Sequence, residues 1–306
     1  PVADEQSTEL GWDDVLPVDV IGLEVGYRLI PLVDKKQGGQ LMSRIKGVRR
    51  KLSQELGFLI DPVHIRDKLD LEPGAYRINL MGVPVGEAEI HLEKELAINP
   101  GQVFGKLEGL VTRDPAFGLD AVWIDAGQRD EAQTLGYTVV DASTVVATHL
   151  SSLLQQHAHE LLGHEGVQQL LDMLARSSPK LVENLVPKTL SLGVVVKVLQ
   201  NLLMEGVPIR DLRTIAETLA EQAPRSQDPD ILTAAVRIKL SRMIYQKING
   251  MEENLDAMAL DPKLEQLLLK SIQGGHEGGP GRLQPQLQEH DARCPPPDRR
   301  AESRGR

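Results

Sequence analysis

The apolar positions of this chain switch period midway, from short alternating runs to long stretches of helical spacing. From Val18 to Ile30 they alternate, with Leu23, Val25, Tyr27 and Leu29 on one side, as in a half-buried strand. Lys35–Gly39 reads as a loop. Beyond it Leu41, Ile45, Val48, Leu52 and Leu56 recur at helical spacing, and Gly57 is a natural stop. Short apolar runs at 63–65, 75–81 and 87–92 predict strands, with turn chemistry at Gly82-Val83-Pro84-Val85-Gly86 between the last two. Residues 93–141 read as a second small unit, opening at Ile98-Asn99-Pro100-Gly101. Asp114-Pro115 and Phe117-Gly118 mark a bend before a buried strand over Leu119–Ile124. Residues 139–141 form another strand, and Asp141-Ala142-Ser143 offers a cap to a helix beginning near Thr144.

From Ser143 onward the helical period dominates. One apolar face runs from Val145 to Leu162, ending at Gly163. Further helices are expected over 165–176, between Pro179 and Pro187, over 190–203, over 211–222, and from the Asp228-Pro229 start to Ile248. Residues 255–260 suggest a strand and 262–272 a helix. The pattern thus predicts an α+β chain of several subdomains. A small α/β unit (18–92 with 142–161) carries a second α/β unit inserted within it (93–141). A helical part (162–248) follows, and then the start of another subdomain (249–273). Residues 1–17 read as an acidic linker carrying Trp12, an aromatic suited to docking on a neighbouring surface. Of the 33 residues from Gly274 to Arg306, 11 are Gly or Pro and six are Arg, which predicts a disordered tail, read as foreign to the rest of the chain.

Composition narrows the function. Over 306 residues the net charge is −10, so a polyanion meets a repulsive mean field and nucleic acid is not expected as a partner. Against that background Arg44, Lys46, Arg49, Arg50 and Lys51 lie within eight positions and make a patch for an acidic partner, or a solvated helix face. Aromatics are only 3%, so cores must be built from Leu, Val, Ile and Ala. The single Cys294 precludes an internal disulfide framework, and no run is long and apolar enough for a membrane span. The chain reads as a soluble piece of something longer, since it begins with proline.

Catalytic patterns are scarce. His157, His159, Glu160 and His164 are the best metal candidates, but a zinc-protease helix needs histidines four apart and His159 and His164 are five apart. No P-loop and no GxSxG elbow occur, so no catalytic residue, metal or cofactor is expected, and a metal-dependent hydrolase using the His157–His164 helix is the weaker alternative. An apolar recess is the stronger candidate. Phe117 sits in a turn, and Ile98, Pro100, Leu119, Val140 and Val145 gather near the junction of the two α/β units, where they either close a core or grip an amphipathic partner.

The stretches GLEVGYRLIPLVD (22–34), QELGFLIDPVHIRD (54–67), DPAFGLDAVWI (114–124), ASTVVATHL (142–150), HAHELLG (157–163) and VLQNLLMEGVPIRDLRTIAETLA (198–220) closely resemble the cytoplasmic domain of the flagellar type III export-gate (FHIPEP) family, over about residues 12–273. The resemblance implies four cytoplasmic subdomains following a membrane part at the bacterial inner membrane, the last of them truncated here. It implies a homo-oligomeric, nine-membered ring that receives flagellar export chaperones with filament-type substrates. Other export-apparatus partners would be the ATPase complex and an FlhB-type switch protein. Virulence secretion export gates are the related alternative. The family's chaperone-binding dimple falls on Ile98, Pro100, Asp114, Phe117, Leu119, Val140, Val145 and Thr148. Its linker contacts to a neighbouring subunit fall on Glu9, Trp12 and Asp14, a glycine tied to subdomain mobility on Gly26, and a charged cluster on Arg49, Arg50 and Lys51.

Overall fold

The computed structural model describes residues 18–34, 39–250, 252 and 259–274. Two four-stranded sheets organise the first half. In the first sheet the order is β2-β1-β3-β4, where β1 is Ile21–Val25, β2 Val63–Asp67, β3 Ala75–Leu80 and β4 Val83–Glu89. β1 and β2 run parallel and the other pairs antiparallel. The second sheet is antiparallel, with order β6-β7-β5-β8, where β5 is Lys94–Ile98, β6 Leu110–Arg113, β7 Asp120–Asp125 and β8 Thr138–Asp141. The mixed architecture is the α+β class expected from the sequence.

Local chemistry explains each element. Helix α2 (Gln40–Leu56) buries Leu41, Ile45, Leu52 and Leu56 along one stripe and ends at Gly57 with φ of 97°. A side chain at Gly57 would collide with the backbone at Arg210, 2.5 Å away, so the helix end and residues 209–210 lie in direct contact. Helix α3 (Arg129–Thr134) precedes β8, and helix α4 (Ala142–Gln156) starts on Asp141, whose carboxylate accepts the Thr144 N–H. It packs on α2 and on β4, β5 and β8, returning the chain from the second sheet to the first.

Several boundaries differ from the periodicity. The first strand stops at Val25 and is enclosed rather than half-buried. A 3-10 turn at Tyr27–Leu29 and helix α1 (Ile30–Val33) follow it, because Pro31 at the helix start cannot continue a ladder. The hairpin turns at Met81-Gly82, with φ of 49° and 80°, so Val83–Gly86 belong to β4. The helix expected to run unbroken to Leu162 stops at Gln156 and resumes as α5 (Ala158–Leu161).

Helices α6 (His164–Ser177), α7 (Pro179–Leu185), α8 (Leu192–Met204), α9 (Leu212–Gln222), α10 (Pro229–Lys239) and α11 (Ser241–Asn249) follow. The last two replace one long helix, broken at Leu240. α8 is apolar on most of its surface and packs against α5, α6 and α10, so it sits at the centre of the helical part. One continuous core links the first sheet, α2, α4 and the helices to one face of the second sheet. The other face has a small core of its own at Ala97, Ile124, Ala132 and Val139. The described residues up to Lys247 form one compact unit. Those from Ile248 onward belong to another, in which the described helix is α12 (Pro262–Gly274). Most of the strand expected at 255–260 lies outside the described residues, as do the linker and the tail beyond 274.

Candidate docking site beside the second sheet

The inner face of the second sheet carries several of the residues that the sequence singles out. Strand pairing sets Ile98 opposite Ala121 and Leu96 opposite both Trp123 and Val140, so these residues share the face that joins the main core. Ile98 and Val140 are half-buried at its margin. The Asn99 N–H donates to the Asp120 carbonyl, which carries the ladder one step further, and Pro100 after it is exposed. From α4, Val145 lies beneath, only 1% exposed, and half-buried Thr148 follows one turn later. Val145 is therefore a core residue with no surface to offer a partner.

Phe117 stands at the tip of the β6–β7 turn, 67% exposed, and Leu119 beside it is 39% exposed. The turn is tied internally by Asp114. Its N–H donates to Leu119 O, its carbonyl accepts Gly118 N–H, and its carboxylate accepts Phe117 N–H at 2.8 Å. Asp114 itself is 2% exposed, so it shapes the turn from inside. Ser152 of α4 donates to Ala116 O at 3.3 Å and anchors the turn to the helix. Beyond Phe117 opens a cleft of about 560 Å³, walled by Ser152, Gln155 and Gln156 on one side and by Leu203, Met204 and Gly206 at the end of α8 on the other. Of the eight residues expected at the recess, Phe117 is the one that lines this cleft, and its α8 wall is not foreseen by the sequence, because residues some ninety positions apart share no local pattern.

Behind the turn the Tyr76 hydroxyl lies 2.8 Å from His149 Nδ1. Burial pushes the Tyr76 pKa far up, and the Asp114 charge adds to this. Burial pushes His149 down, with the Asp114 charge opposing, so the imidazole is neutral at pH 7. At the start of α4, Asp141 accepts bonds from the Ser143 and Thr144 hydroxyls and from Arg44 of α2. Burial alone would raise its pKa. The hydroxyls, the Thr144 amide and Arg44 outweigh burial and hold the carboxyl below its ordinary range. The junction of β8, α2 and α4 is thus one connected polar node.

The other singled-out residues are scattered. Gly26 packs under the 72–75 turn with no room for a Cβ, which would stand 2.3 Å from Glu72 O. Arg49 points inward and donates to Ile60 O and Asp61 O, whereas Arg50 is exposed and exposed Lys51 reaches Glu55 at 3.8 Å. The basic cluster therefore divides into one structural arginine and two surface cations. His157 pairs with Glu160 at 2.8 Å across the break between α4 and α5, and His164 starts α6. Among the described residues no group of three or more His, Cys, Asp or Glu is placed to hold a metal ion. None of the described helices is long and apolar enough to cross a membrane. Glu9, Trp12 and Asp14 lie outside the described residues.

Comparison with known proteins decides the relationship. The profile of the FHIPEP family matches residues 2–293. The chain belongs to the FHIPEP family. The match runs beyond 12–273 at both ends, so the first part of the tail is not foreign to the family. The flagellar biosynthesis protein FlhA of Escherichia coli K12 is 52% identical over 284 residues, covering 92% of this chain and 41% of the relative. The FlhA of Bacillus subtilis is 42% identical over 275 residues, covering 90% and 41%. This FHIPEP chain therefore spans about two fifths of the length of these curated relatives. Among solved structures, the Chlamydia pneumoniae CdsV protein matches with TM-score 0.72 and 25% identity over 90% of this chain and 78% of CdsV. The nonameric EscV cytosolic domain of a type III secretion system matches at 0.64 and 22% identity, over 83% and 74% respectively, which speaks to the fold alone.

Proposed function

We propose that this chain is the cytoplasmic docking platform of a flagellar type III export gate. It would take export chaperone–substrate complexes into the recess beside the second sheet and pass them to a membrane channel formed elsewhere in the full-length protein. The observation that carries this reading is Phe117. A large aromatic held two-thirds exposed by three hydrogen bonds through Asp114 is costly to leave in water, and it is pre-organised as an anchor for an apolar helix face. Ile98, Pro100, Leu119, Val140 and Thr148 would form the rest of the contact, with Val145 and Asp114 supporting it from within. The subdomain division of the sequence reading (18–92 with 142–161, 93–141, 162–248 and a truncated 249–273) is retained with this proposal. So are a nine-membered ring, linker contacts through Glu9, Trp12 and Asp14, and a location at the inner face of the bacterial membrane. Identity of 40–52% to several flagellar relatives, against 25% to CdsV, favours flagellar export over virulence secretion.

The test is calorimetric titration of this chain with a flagellar chaperone–filament-protein complex. Phe117→Ala is expected to lose about 2 kcal/mol or more, roughly thirtyfold in Kd, with unchanged circular dichroism. Equal affinity for wild type and variant would overturn the reading.

A further inference from the structure

The two sheets end in four edge strands, β2, β4, β6 and β8, and three of them are guarded against an added strand. β2 carries His64, Arg66 and Asp67. β4 carries Pro84 and two glutamates, and its pairing with β3 shifts register beside Ile78 and Asn79. α3 and α4 pack on β8. β6 (Leu110–Arg113) has no proline and no register shift, and its Leu110 and Val111 are 51% and 79% exposed. The bonds around it fix which backbone groups face outward. Asp114 N–H donates to Leu119 O, while the Asp120 carbonyl turns the other way and accepts Asn99 N–H from the β5 side. Bonded and non-bonded pairs alternate along an antiparallel ladder. Leu110 and Thr112 therefore bond to Trp123 and Ala121 of β7, and the amides and carbonyls of Val111 and Arg113 point out of the open edge. Among the described residues no strand lies beyond them.

Beside this edge lies a groove of about 340 Å³. Leu96 and Trp123 form its floor, and Ala88 and Glu89 at the end of β4 form its far wall. His91 stands edge-on to Trp123, with ring centroids 5.3 Å apart. A strand laid along β6 would send the side chain opposite Thr112 into the groove, because Thr112 shares the inner face with Trp123. The side chains opposite Val111 and Arg113 would lie on the outer face. Val111 offers an apolar neighbour there. Arg113 offers a cation that is largely exposed, since its partner Asp120 stands 3.7 Å away.

We propose that the open edge of β6 is a strand-addition site for an extended polypeptide segment. The segment runs antiparallel to β6, as every pair in this sheet does, and carries an acidic residue, an apolar residue and a second apolar residue in that order. They face Arg113, the groove and Val111 respectively. β6 leads directly into the Phe117 turn, and the assignment of the segment to an incoming exported protein rests on the docking reading. The strand edge itself does not. Recognition through backbone groups accepts segments of differing sequence provided the alternation is kept.

The experiment is an NMR titration of the 306-residue chain with the synthetic peptide acetyl-Ser-Thr-Glu-Leu-Val-Thr-Ser-amide, reading amide exchange at residues 110–113. At saturation, exchange at Val111 and Arg113 is expected to slow at least about tenfold, with Leu110 and Thr112, already bonded to β7, little changed. No binding at millimolar peptide, or binding without protection at Val111 and Arg113, would overturn the proposal. Val111→Pro removes a donor that β7 does not use, so the fold is kept and the peptide should bind at least about tenfold more weakly. Equal binding by wild type and variant overturns the proposal as well. Methylated peptides cover the case in which Val111→Pro fails to fold. N-methylation of the peptide valine, whose N–H faces β6, should abolish binding, whereas N-methylation of its leucine, whose N–H faces away, should not. Equal effects of the two methyl groups count against the idea. The two readings fail separately. An inert Phe117→Ala sinks the recess whatever the peptide does, whereas a peptide that leaves β6 untouched, with a sensitive Phe117→Ala, sinks only the strand site.

Discussion

Gly26→Ala is the sharpest test of how the two sheets are held together. Gly26 has φ of −67° and ψ of 160°, which alanine adopts freely, so backbone strain contributes nothing. The obstacle is space. The new Cβ would stand 2.3 Å from Glu72 O, 2.7 Å from Pro73 O and 3.0 Å from Pro73 C. These are backbone atoms, and no rotamer change relieves them. The 72–75 turn must retreat, yet it is bonded to this very segment. Gly26 N–H donates to Ala75 O at 2.8 Å and Arg28 N–H to Pro73 O at 3.1 Å. The same turn accepts Ile90 N–H at Gly74 O, where the chain leaves the first sheet for the second. Weakening two backbone hydrogen bonds at about 1 kcal/mol each, together with overpacking of about 1–2 kcal/mol, gives a loss of about 3–4 kcal/mol. Urea unfolding followed by circular dichroism measures the total, and hydrogen exchange at residues 26, 28 and 90 locates it. Gly47→Ala is the internal control, because nothing lies within 4 Å of that position on α2 and the change should stabilise by about 0.5–1 kcal/mol. A Gly26→Ala loss below about 0.5 kcal/mol, with the three amides still protected, would refute the steric argument.

Asp141→Ala removes a helix cap and strands Arg44, and a loss of about 1–2 kcal/mol in urea unfolding is expected. Because the folded Asp141 carboxyl lies below its ordinary range, its contribution is complete above about pH 4 and disappears as pH falls through the folded value. Stability curves of wild type and variant should therefore converge in acid. Arg49→Ala should cost about 2–3 kcal/mol, with Arg49→Lys unable to restore the forked contact to residues 60 and 61. Arg50→Ala and Lys51→Ala, by contrast, should stay within about 0.5 kcal/mol by thermal or urea unfolding. Leu199→Ala, in the enclosed centre of α8, should cost about 2–5 kcal/mol on the same assay, since the surrounding helices leave little room to collapse.

What the sequence disclosed depended on whether a feature was local. The stripe of α2 and its glycine stop, the Asp141 cap and the Asp228-Pro229 start are each written within a few residues, and each forms where the pattern says. The shared sheet face of Ile98, Leu119 and Val140 was legible, because these residues flank strands whose alternation points them to one side. Which of the singled-out residues are buried was not legible. Val145 and Ile98 look alike in sequence, and only packing makes one a buried support and the other a half-open wall. The breaks at Gln156 and Leu240 interrupt apolar periodicity without a proline or glycine, so periodicity alone reads through them. Arg49 defeated the reading for a related reason, since a charged side chain in a basic run gives no hint that carbonyl oxygens await it.

The parts of the proposed recess differ in how firmly they are held, and this bears on how it would grip a partner. Ile98 and Val140 belong to a paired strand face continuous with the main core, and α4 is fastened to α2 through Asp141, Ser143 and Arg44. Moving that wall means breaking a sheet or a capped helix. Phe117 and Leu119 instead ride on a turn whose ties are three bonds through one residue and one longer bond from Ser152. A fixed wall facing an adjustable finger can accept helices of differing bulk, because the wall sets the position of the partner and the finger closes on it. Partners of different girth should then share their dependence on Ile98 but differ in their dependence on Phe117. Affinities of two unrelated chaperones for Ile98→Ala and Phe117→Ala measure this, and parallel losses for both variants with both partners would show that the recess acts as one rigid surface.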